Sequence, residues 1–395
     1  MRILIATSSN YLAFHGQAIF TKNLAEGLIR HGHEVLVVAS SERGPYSETE
    51  HHGVHIIAFK SISLGLINPN AVLAISTGRE LRNIFKSFKP EIVHIQDHYP
   101  LCRSTSRLAL KSGYKVIGTN HFMPENLAAY IPLFPRIKPV FDWVLWHWMR
   151  EVYDRLDLVV GPSLAAVRML RDAGLKPHAV SISCGVDDRL FHPIPEVNKS
   201  VYRSNYGICS PCTVMFFVGR VDREKRLDVI IRCLDVLKRE DIQFVIAGNG
   251  AEKRRLLKMT SELGLKNKVH FSGFIPNGEL PSVLNSIDIF IMPGDAELLS
   301  IASLQAMACA RPMLVADAVA LPELVSANEN GLLFRPGDVE DAARCLTFLA
   351  DHPARWADMG TASLMRSKKH NLELIVNEYE ELYHSVVDGK PFQDQ

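Results

Sequence analysis

A chain of 395 residues with 47% apolar and 22% charged residues has the balance of a globular protein and room for two or three domains of about 150 residues each. Its formal net charge of +1 excludes the strongly basic footprint that nucleic-acid binding normally requires. Seven scattered cysteines, an odd number, fit a reducing compartment and exclude a disulfide framework as the organising principle.

The chain opens on MRILIAT, which enters a strand pattern directly. No basic leader, long apolar core or cleavage site is present, so a cytoplasmic protein without a signal peptide is expected. No run approaches the ~20 apolar residues of a spanning helix. RILIAT (2–7), EVLVVA (34–39), EIVHIQ (91–96), KVIGT (115–119) and DLVVGP (157–162) are short, β-branched and bounded by turn residues, as buried parallel strands are. Amphipathic stretches such as QAIFTKNLAEGLIRHG separate them, which predicts βαβ units. The polar, proline-containing HPIPEVNKSVYRSNYGICSP then reads as a linker. A second series follows: TVMFFV (213–218), IQFVIA (242–247), KVHFS (268–272), IDIFIMP (287–293) and PMLVAD (312–317). The fold class expected is α/β, with two doubly wound Rossmann-like domains facing across a cleft. They cover 1–192 and 211–371, with a linker over 193–210 and a last helix over 372–395 returning toward the first domain. Ligands of such sheets sit at the carboxyl ends of the strands, so the cleft is the natural site.

Several motifs in the second series carry chemistry. TVMFFV runs into GRVDREKR, where Gly219 allows a tight turn and Arg220 and Lys225 put two cations near a helix start. A diphosphate is held by such a combination of fixed positive charge and backbone donors. A solvated basic turn reads the same way. The next strand ends in AGNGAEKR, where Gly248 and Gly250 either admit a ligand to the backbone or simply make the turn. In DAELLSIASLQAMACARP, Ser300 can cap a helix beginning near Ile301 that contains Gln305. Glu297 lies before the cap, where an acceptor-only carboxylate can hold sugar hydroxyls. The amide of Gln305 can reach a ribose, and the small residues between them leave room for a nucleotide.

GRVDREK, IAGNG, GFIPNGELPSVLNSIDIFIMP and ELLSIASLQAMACARP occur in the order characteristic of one large family. On these motifs the chain resembles the retaining glycosyltransferases of family 4 (GT4), with the two-domain GT-B fold, over almost its whole length. The resemblance implies a nucleotide-sugar donor bound through Arg220 and Lys225, with Gly219, Gly248, Gly250, Ser300 and Ile301 around it. It places Glu297 on the donor sugar and Gln305 on the ribose hydroxyls. It puts Gly16 in a loop near the donor phosphates, His121 beside the reacting sugar or acceptor, and Glu125 near an acceptor hydroxyl. The sequence departs from the family pattern at three places. Gln305 stands where a second glutamate is usual, LeuLeuSer follows Glu297 where GlyPheGly is usual, and Gly16 lacks a companion glycine. A glutamine can still donate and accept but loses a charge-assisted bond about twice as strong as a neutral one.

The implied reaction moves a hexose from a UDP- or GDP-sugar to a hydroxyl acceptor, a membrane lipid or a polysaccharide precursor, with retention at the anomeric carbon. The family scheme needs no protein nucleophile, metal or cofactor, and Arg220 and Lys225 would stabilise charge on the departing diphosphate. No Asp-x-Asp motif occurs. Asp187 and Asp188 read as shaping a turn, and CysSerProCys at 209–212 as incidental, since no second pair accompanies it. The rival readings are a nucleotide-sugar-binding protein without transferase activity and a GT-B epimerase. A dehydrogenase is disfavoured because no G-x-G-x-x-G follows the first strand.

YIPLFPRIKPVFDWVLWHWMREVYDR (130–155) crowds Phe141, Trp143, Trp146 and Trp148 beside Arg136, Lys138 and Arg150. Aromatic rings with nearby cations suit a peripheral helix at an anionic membrane surface, on the inner face of the membrane. A buried aromatic helix under the acceptor loop, or a dimer contact, accounts for the same residues, because the apolar positions do not fall on one clean face.

Overall fold

Each segment read as a strand is one, within a residue or two at the ends. The computed structural model describes residues 1–395 except 14, 42–43, 64–71, 75–77, 125–133, 196–198, 200–202, 205–207, 209–211 and 391–395. The chain divides into two compact units, Met1–Cys184 with Leu372–Gln395, and Gly185–Asn371.

The first unit holds β1 (Arg2–Ala6), β2 (Glu34–Ser40), β3 (Ser47–His51), β4 (Val54–Phe59), β5 (Ser61–Ser63), β6 (Val72–Ala74), β7 (Ile92–Ile95), β8 (Lys115–Thr119), β9 (Leu158–Gly161) and β10 (Ala179–Ser181). Eight of them form one sheet in the order β10-β9-β8-β7-β1-β2-β4-β3, while β5 and β6 pair separately. Within the eight-stranded sheet the pairings are parallel except β3 on β4, an antiparallel hairpin, and β5 pairs β6 antiparallel as well. The inner strands are buried along their length because helices cover both faces, which explains their continuous apolar runs. Strand β3, SETEH, is an exposed edge with no apolar alternation, and nothing in its pattern marks it as a strand.

The helix Leu372–Asp388 packs in this first unit. It buries Leu372, Ile375, Val376, Tyr379, Leu382 and Tyr383, a stripe at helical spacing. Tyr379 lies with its ring 5.7 Å from that of Phe20, on the helix Gly16–Arg30. A Cβ at Gly27 would stand 2.4 Å from a methyl of Val376, so this crossing is close enough to exclude a larger residue. Charge fixes the rim: His31 contacts both Glu373 (2.5 Å) and Glu380 (2.8 Å).

The second unit contains β11 (Thr213–Val218), β12 (Ile242–Ala247), β13 (Val269–Gly273), β14 (Ile289–Met292), β15 (Met313–Ala316) and β16 (Gly331–Phe334). They form an all-parallel sheet in the order β13-β12-β11-β14-β15-β16. Both sheets are doubly wound, with the order reversing between β1 and β7 in one and between β11 and β14 in the other.

Of the segment read as a linker over 193–210, the described residues Ile194 and Arg203 pack on the second unit. Ile194 donates its N–H to Asn285 Oδ1 at 2.9 Å. Arg203 is buried, and its guanidinium reaches both carboxylate oxygens of Asp288 at 2.8 Å and the carbonyl of Ser286 at 3.0 Å. Asp288 in turn accepts the N–H of Val214 at 2.9 Å. A polar stretch held by one buried ion pair shows no periodicity, so composition alone reads it as a tether. The division between the units falls at Cys184/Gly185, ahead of residue 192.

Candidate active site

In the second unit the chain leaves β11 and β14, the neighbours at the order reversal, through two loops that meet. Gly219 to Arg226 follows β11, and Gly294 to Ser300 follows β14. Lys225 Nζ lies 2.5 Å from Glu297 Oε1, and the two side chains are only 14% and 9% exposed. The N–H of Asp295 donates to the carbonyl of Glu224 at 3.1 Å, and Arg226 reaches Asp295 at 3.0 Å, so backbone and charge both hold the loops together. Arg220 donates to Asp222 at 2.6 Å and to Glu224 at 2.8 Å, two buried carboxylates that fix the plane of its guanidinium. Burial pushes the carboxyl of Glu224 up, against the pull of Lys225 and Arg220. Lys225 closes a turn of 3-10 helix, Arg223–Lys225, just before the helix Leu227–Leu237.

The glycines of AGNG have a packing reason. A Cβ at Gly248 would fall 1.9 Å from the carbonyl oxygen of Gly219, and one at Gly250 would fall 2.3 Å from that of Val221. The loop after β12 thus lies directly against the loop after β11, and Asp222 accepts the N–H of Ala251 at 3.0 Å. Beyond Glu297, Ser300 caps the helix Ile301–Ala308, accepting the N–H of Ser303 at 3.2 Å. Ser303, Leu304, Ala306, Met307 and Ala308 are buried. Ile301 and Gln305, one turn apart, share its half-exposed side, and among the described residues the amide of Gln305 makes no hydrogen bond.

The first unit gathers its polar residues at the carboxyl ends of β1, β7 and β8. Asp97 is 3% exposed and accepts from Ser8 N–H (2.9 Å), Ser8 Oγ (2.7 Å), Gln17 Nε2 (2.8 Å) and Tyr99 N–H (3.0 Å). Gln17 follows Gly16, the exposed first residue of the helix Gly16–Arg30, so Asp97 anchors that helix start to two strand ends. His121 Nε2 donates to Gln96 Oε1 at 3.1 Å, and its ring packs 5.1 Å from that of Phe20. The same amide donates to His94, which contacts Thr119 (2.7 Å) and Tyr383 (2.8 Å). Burial lowers the pKa of His121 to about 4, with Asp97 opposing and His15 reinforcing, so this imidazole is neutral at pH 7. With Nε2 carrying the proton, Nδ1 is an acceptor.

Of the residues singled out in the sequence, Gly219, Arg220, Lys225, Gly248, Gly250, Glu297, Ser300, Ile301 and Gln305 come together at the order reversal of the second sheet. Gly16 and His121 lie in the first unit around Asp97. Glu125 lies outside the described residues. Sequence reasoning missed Asp222 and Glu224, which orient Arg220, and the Gln96–Asp97 pair. A usable signal existed, because QDH directly after a buried strand places three polar side chains at its carboxyl end.

The aromatic helix Phe134–Tyr153 divides its residues between core and surface. Trp148 meets the buried His98 with ring centroids 4.7 Å apart, and Trp146 packs on the core. Val140, Trp143 and Val144 are exposed at helical spacing, so the outward apolar residues do share one face.

Residues 14–190 match the model of the family described as Glycosyltransferase Family 4, and residues 199–363 that of Glycosyl transferases group 1. A sulfoquinovosyl transferase of Arabidopsis thaliana is 26% identical over 89% of this chain and 67% of its own length. A GDP-mannose-dependent alpha-mannosyltransferase of Corynebacterium glutamicum is 25% identical over 98% of this chain and 89% of its own. Among solved structures, the sucrose-phosphate synthase of Thermosynechococcus elongatus superposes with a TM-score of 0.82 at 18% identity, covering 99% of this chain and 100% of that one. HepE of Anabaena in complex with UDP-glucose does so with a TM-score of 0.79 at 17% identity, covering 98% and 100%. With both halves of the chain matched and the fold shared along its length, the protein belongs to glycosyltransferase family 4, GT-B enzymes that transfer a sugar from a nucleotide sugar.

Proposed function

We propose that this chain is a retaining, metal-independent hexosyltransferase using a UDP- or GDP-linked hexose and a hydroxyl acceptor. The observation that carries this reading is the Lys225–Glu297 pair at the order reversal of the second sheet, beside the guanidinium of Arg220. A diphosphate arriving there takes over Lys225, and Glu297 is released to accept hydrogen bonds from sugar hydroxyls. Arg220, held in plane by Asp222 and Glu224, presents an oriented guanidinium to the phosphate oxygens without reorganising. Gln305, with no protein partner among the described residues, faces the ribose. Neutral His121 offers its Nδ1 to a hydroxyl of the reacting sugar or the acceptor.

In the step itself the bond from the anomeric carbon to the phosphate oxygen breaks. The acceptor oxygen bonds to that carbon from the same face, and its proton passes to the departing phosphate oxygen. No protein nucleophile takes part. The exposed Val140, Trp143 and Val144 face supports a peripheral membrane location and a lipid acceptor, and no helix among the described residues is long and apolar enough to cross a membrane.

A screen of purified protein against nucleotide sugars, reading donor hydrolysis and transfer, tests this reading, with NMR assigning the anomer formed. Transfer with retained configuration, unaided by added magnesium or manganese, is expected. Tight nucleotide binding with neither transfer nor hydrolysis would replace the enzyme by a binding protein.

A further inference from the structure

The hairpin that joins β3 to β4 turns on two residues, His52 and Gly53, with φ of +50° and +81°. Such a turn favours Asn-Gly, and histidine is one of the few other side chains that enter the left-handed region readily. Its effect is geometric. On a strand, consecutive side chains point to opposite faces. Here the left-handed residue brings the second imidazole round, so that the rings of His51 and His52 lie 4.0 Å apart on the same side. Both face Glu26, on the helix Gly16–Arg30. His51 Nδ1 is 3.3 Å and His52 Nδ1 is 3.0 Å from the same oxygen, Glu26 Oε1. The three ligand atoms all lie within 4.8 Å of one another.

We propose that Glu26, His51 and His52 form a binding site for a divalent transition metal, zinc by its ligand chemistry, that fastens the β3–β4 turn to the helix Gly16–Arg30. Bonds of about 2.0–2.1 Å in a tetrahedral site put ligand atoms about 3.3 Å apart, close to the spacings found here. Two imidazoles and one carboxylate suit zinc, whereas magnesium and calcium prefer oxygen alone. His52 Nδ1 is hydrogen-bonded to that oxygen, whereas the buried Nδ1 of His51, aimed at the same atom, has no hydrogen-bond partner among the described residues. Tyr11 supplies an independent sign. It is 2% exposed, its hydroxyl has no hydrogen-bond partner, its ring stands 6.2 Å from that of His51, and the charge acting on it is that of Glu26. A buried polar oxygen without a partner is costly. A water completing the metal's coordination would give that hydroxyl its partner. The three ligands belong to the first unit and Arg220, Lys225 and Glu297 to the second, so the proposal concerns the stability of the first unit and leaves the chemistry of the diphosphate as proposed.

The test uses untagged full-length protein, stripped with a chelator and titrated with zinc alone by calorimetry. Cobalt(II) absorption reports the ligand set. His52→Asn is the informative variant, because Asn-Gly suits the turn and only the imidazole is lost; Glu26→Gln is its partner. One equivalent of zinc is expected to bind the wild type and raise its melting temperature. Each variant should weaken binding by more than about 100-fold, beyond the roughly 10–100-fold that loss of an outer-shell partner costs. Visible cobalt bands should vanish in both. No stoichiometric binding by the wild type, or binding of equal strength in the variants, overturns the proposal.

Discussion

Replacing Lys225 by alanine removes the partner of a carboxylate that is 9% exposed. Breaking a buried pair by removing one member costs about 3–5 kcal/mol, because the other charge stays buried without compensation. Lys225 is itself 14% exposed, so water reaches the pair, and the lower end, about 3 kcal/mol, is expected. The double variant Lys225→Met/Glu297→Gln removes both charges and should recover most of that loss, since a buried pair and a neutral replacement are often close in stability. Turnover should not recover. Lys225→Ala, Arg220→Ala and the double variant should each lose at least about tenfold, or ~1.4 kcal/mol of transition-state stabilisation. Urea unfolding and steady-state transfer on the same preparations separate the two effects. A Lys225→Ala protein that unfolds at the wild-type midpoint shows that the pair does not hold the loops. One that also turns over at the wild-type rate removes Lys225 from the site.

Gln305→Glu should bind the donor equally or more tightly, by up to about 1 kcal/mol if a neutral hydrogen bond becomes charge-assisted; calorimetry showing a large loss would mean that Gln305 faces phosphate or a carboxylate. Gly248→Ala should destabilise the second unit by about 3 kcal/mol or more, because the new Cβ meets the Gly219 carbonyl at a backbone angle that disfavours it, and an unchanged melting temperature contradicts the packing described. Burial lowers the pKa of His94 to about 3 and of His98 to about 4. The unfolded chain takes up protons near pH 6.5 that the folded chain refuses, so stability is full above that pH and falls as pH drops. Each imidazole should cost about 2 kcal/mol by pH 5, and a urea midpoint for the first unit that is flat between pH 7 and 5 refutes this. Co-sedimentation should favour anionic over neutral liposomes, weaken with salt and weaken in Trp143→Ala; transfer to a soluble acceptor without binding either liposome would exclude the lipid reading.

What the sequence showed plainly was whatever repeats along the chain. Buried parallel strands announce themselves as short apolar runs, and TVMFFV, IQFVIA and KVIGT match their observed spans residue for residue. The Ser300 cap and the helix after it were equally legible, because capping is a local rule. Edge strand β3 was hidden by its polarity. The partners of Arg220 were hidden differently: Asp222 and Glu224 sit in the same motif, yet nothing local says that they are buried and turned toward the guanidinium. Asp97 draws its four donors from Ser8, Gln17 and Tyr99, and the first two lie more than 75 positions away in the chain, a relation only the folded sheet creates. The exposed face of Val140, Trp143 and Val144 emerged only once the helix was seen to bury Leu145, Met149 and Val152 on the other side, with Trp146 and Trp148 half-buried.

The helix Leu372–Asp388 bears on how the chain is made. Its tyrosines complete the first unit, with Tyr383 against His94 and Tyr379 ring to ring with Phe20, yet they are synthesised after the whole of Gly185–Asn371. Domains usually fold in order of emergence from the ribosome. Here the second unit is contiguous and able to finish first, while the first waits with the groove around Phe20 and Gly27 uncovered. The early half of the nascent chain is therefore the half that most needs shielding from other chains.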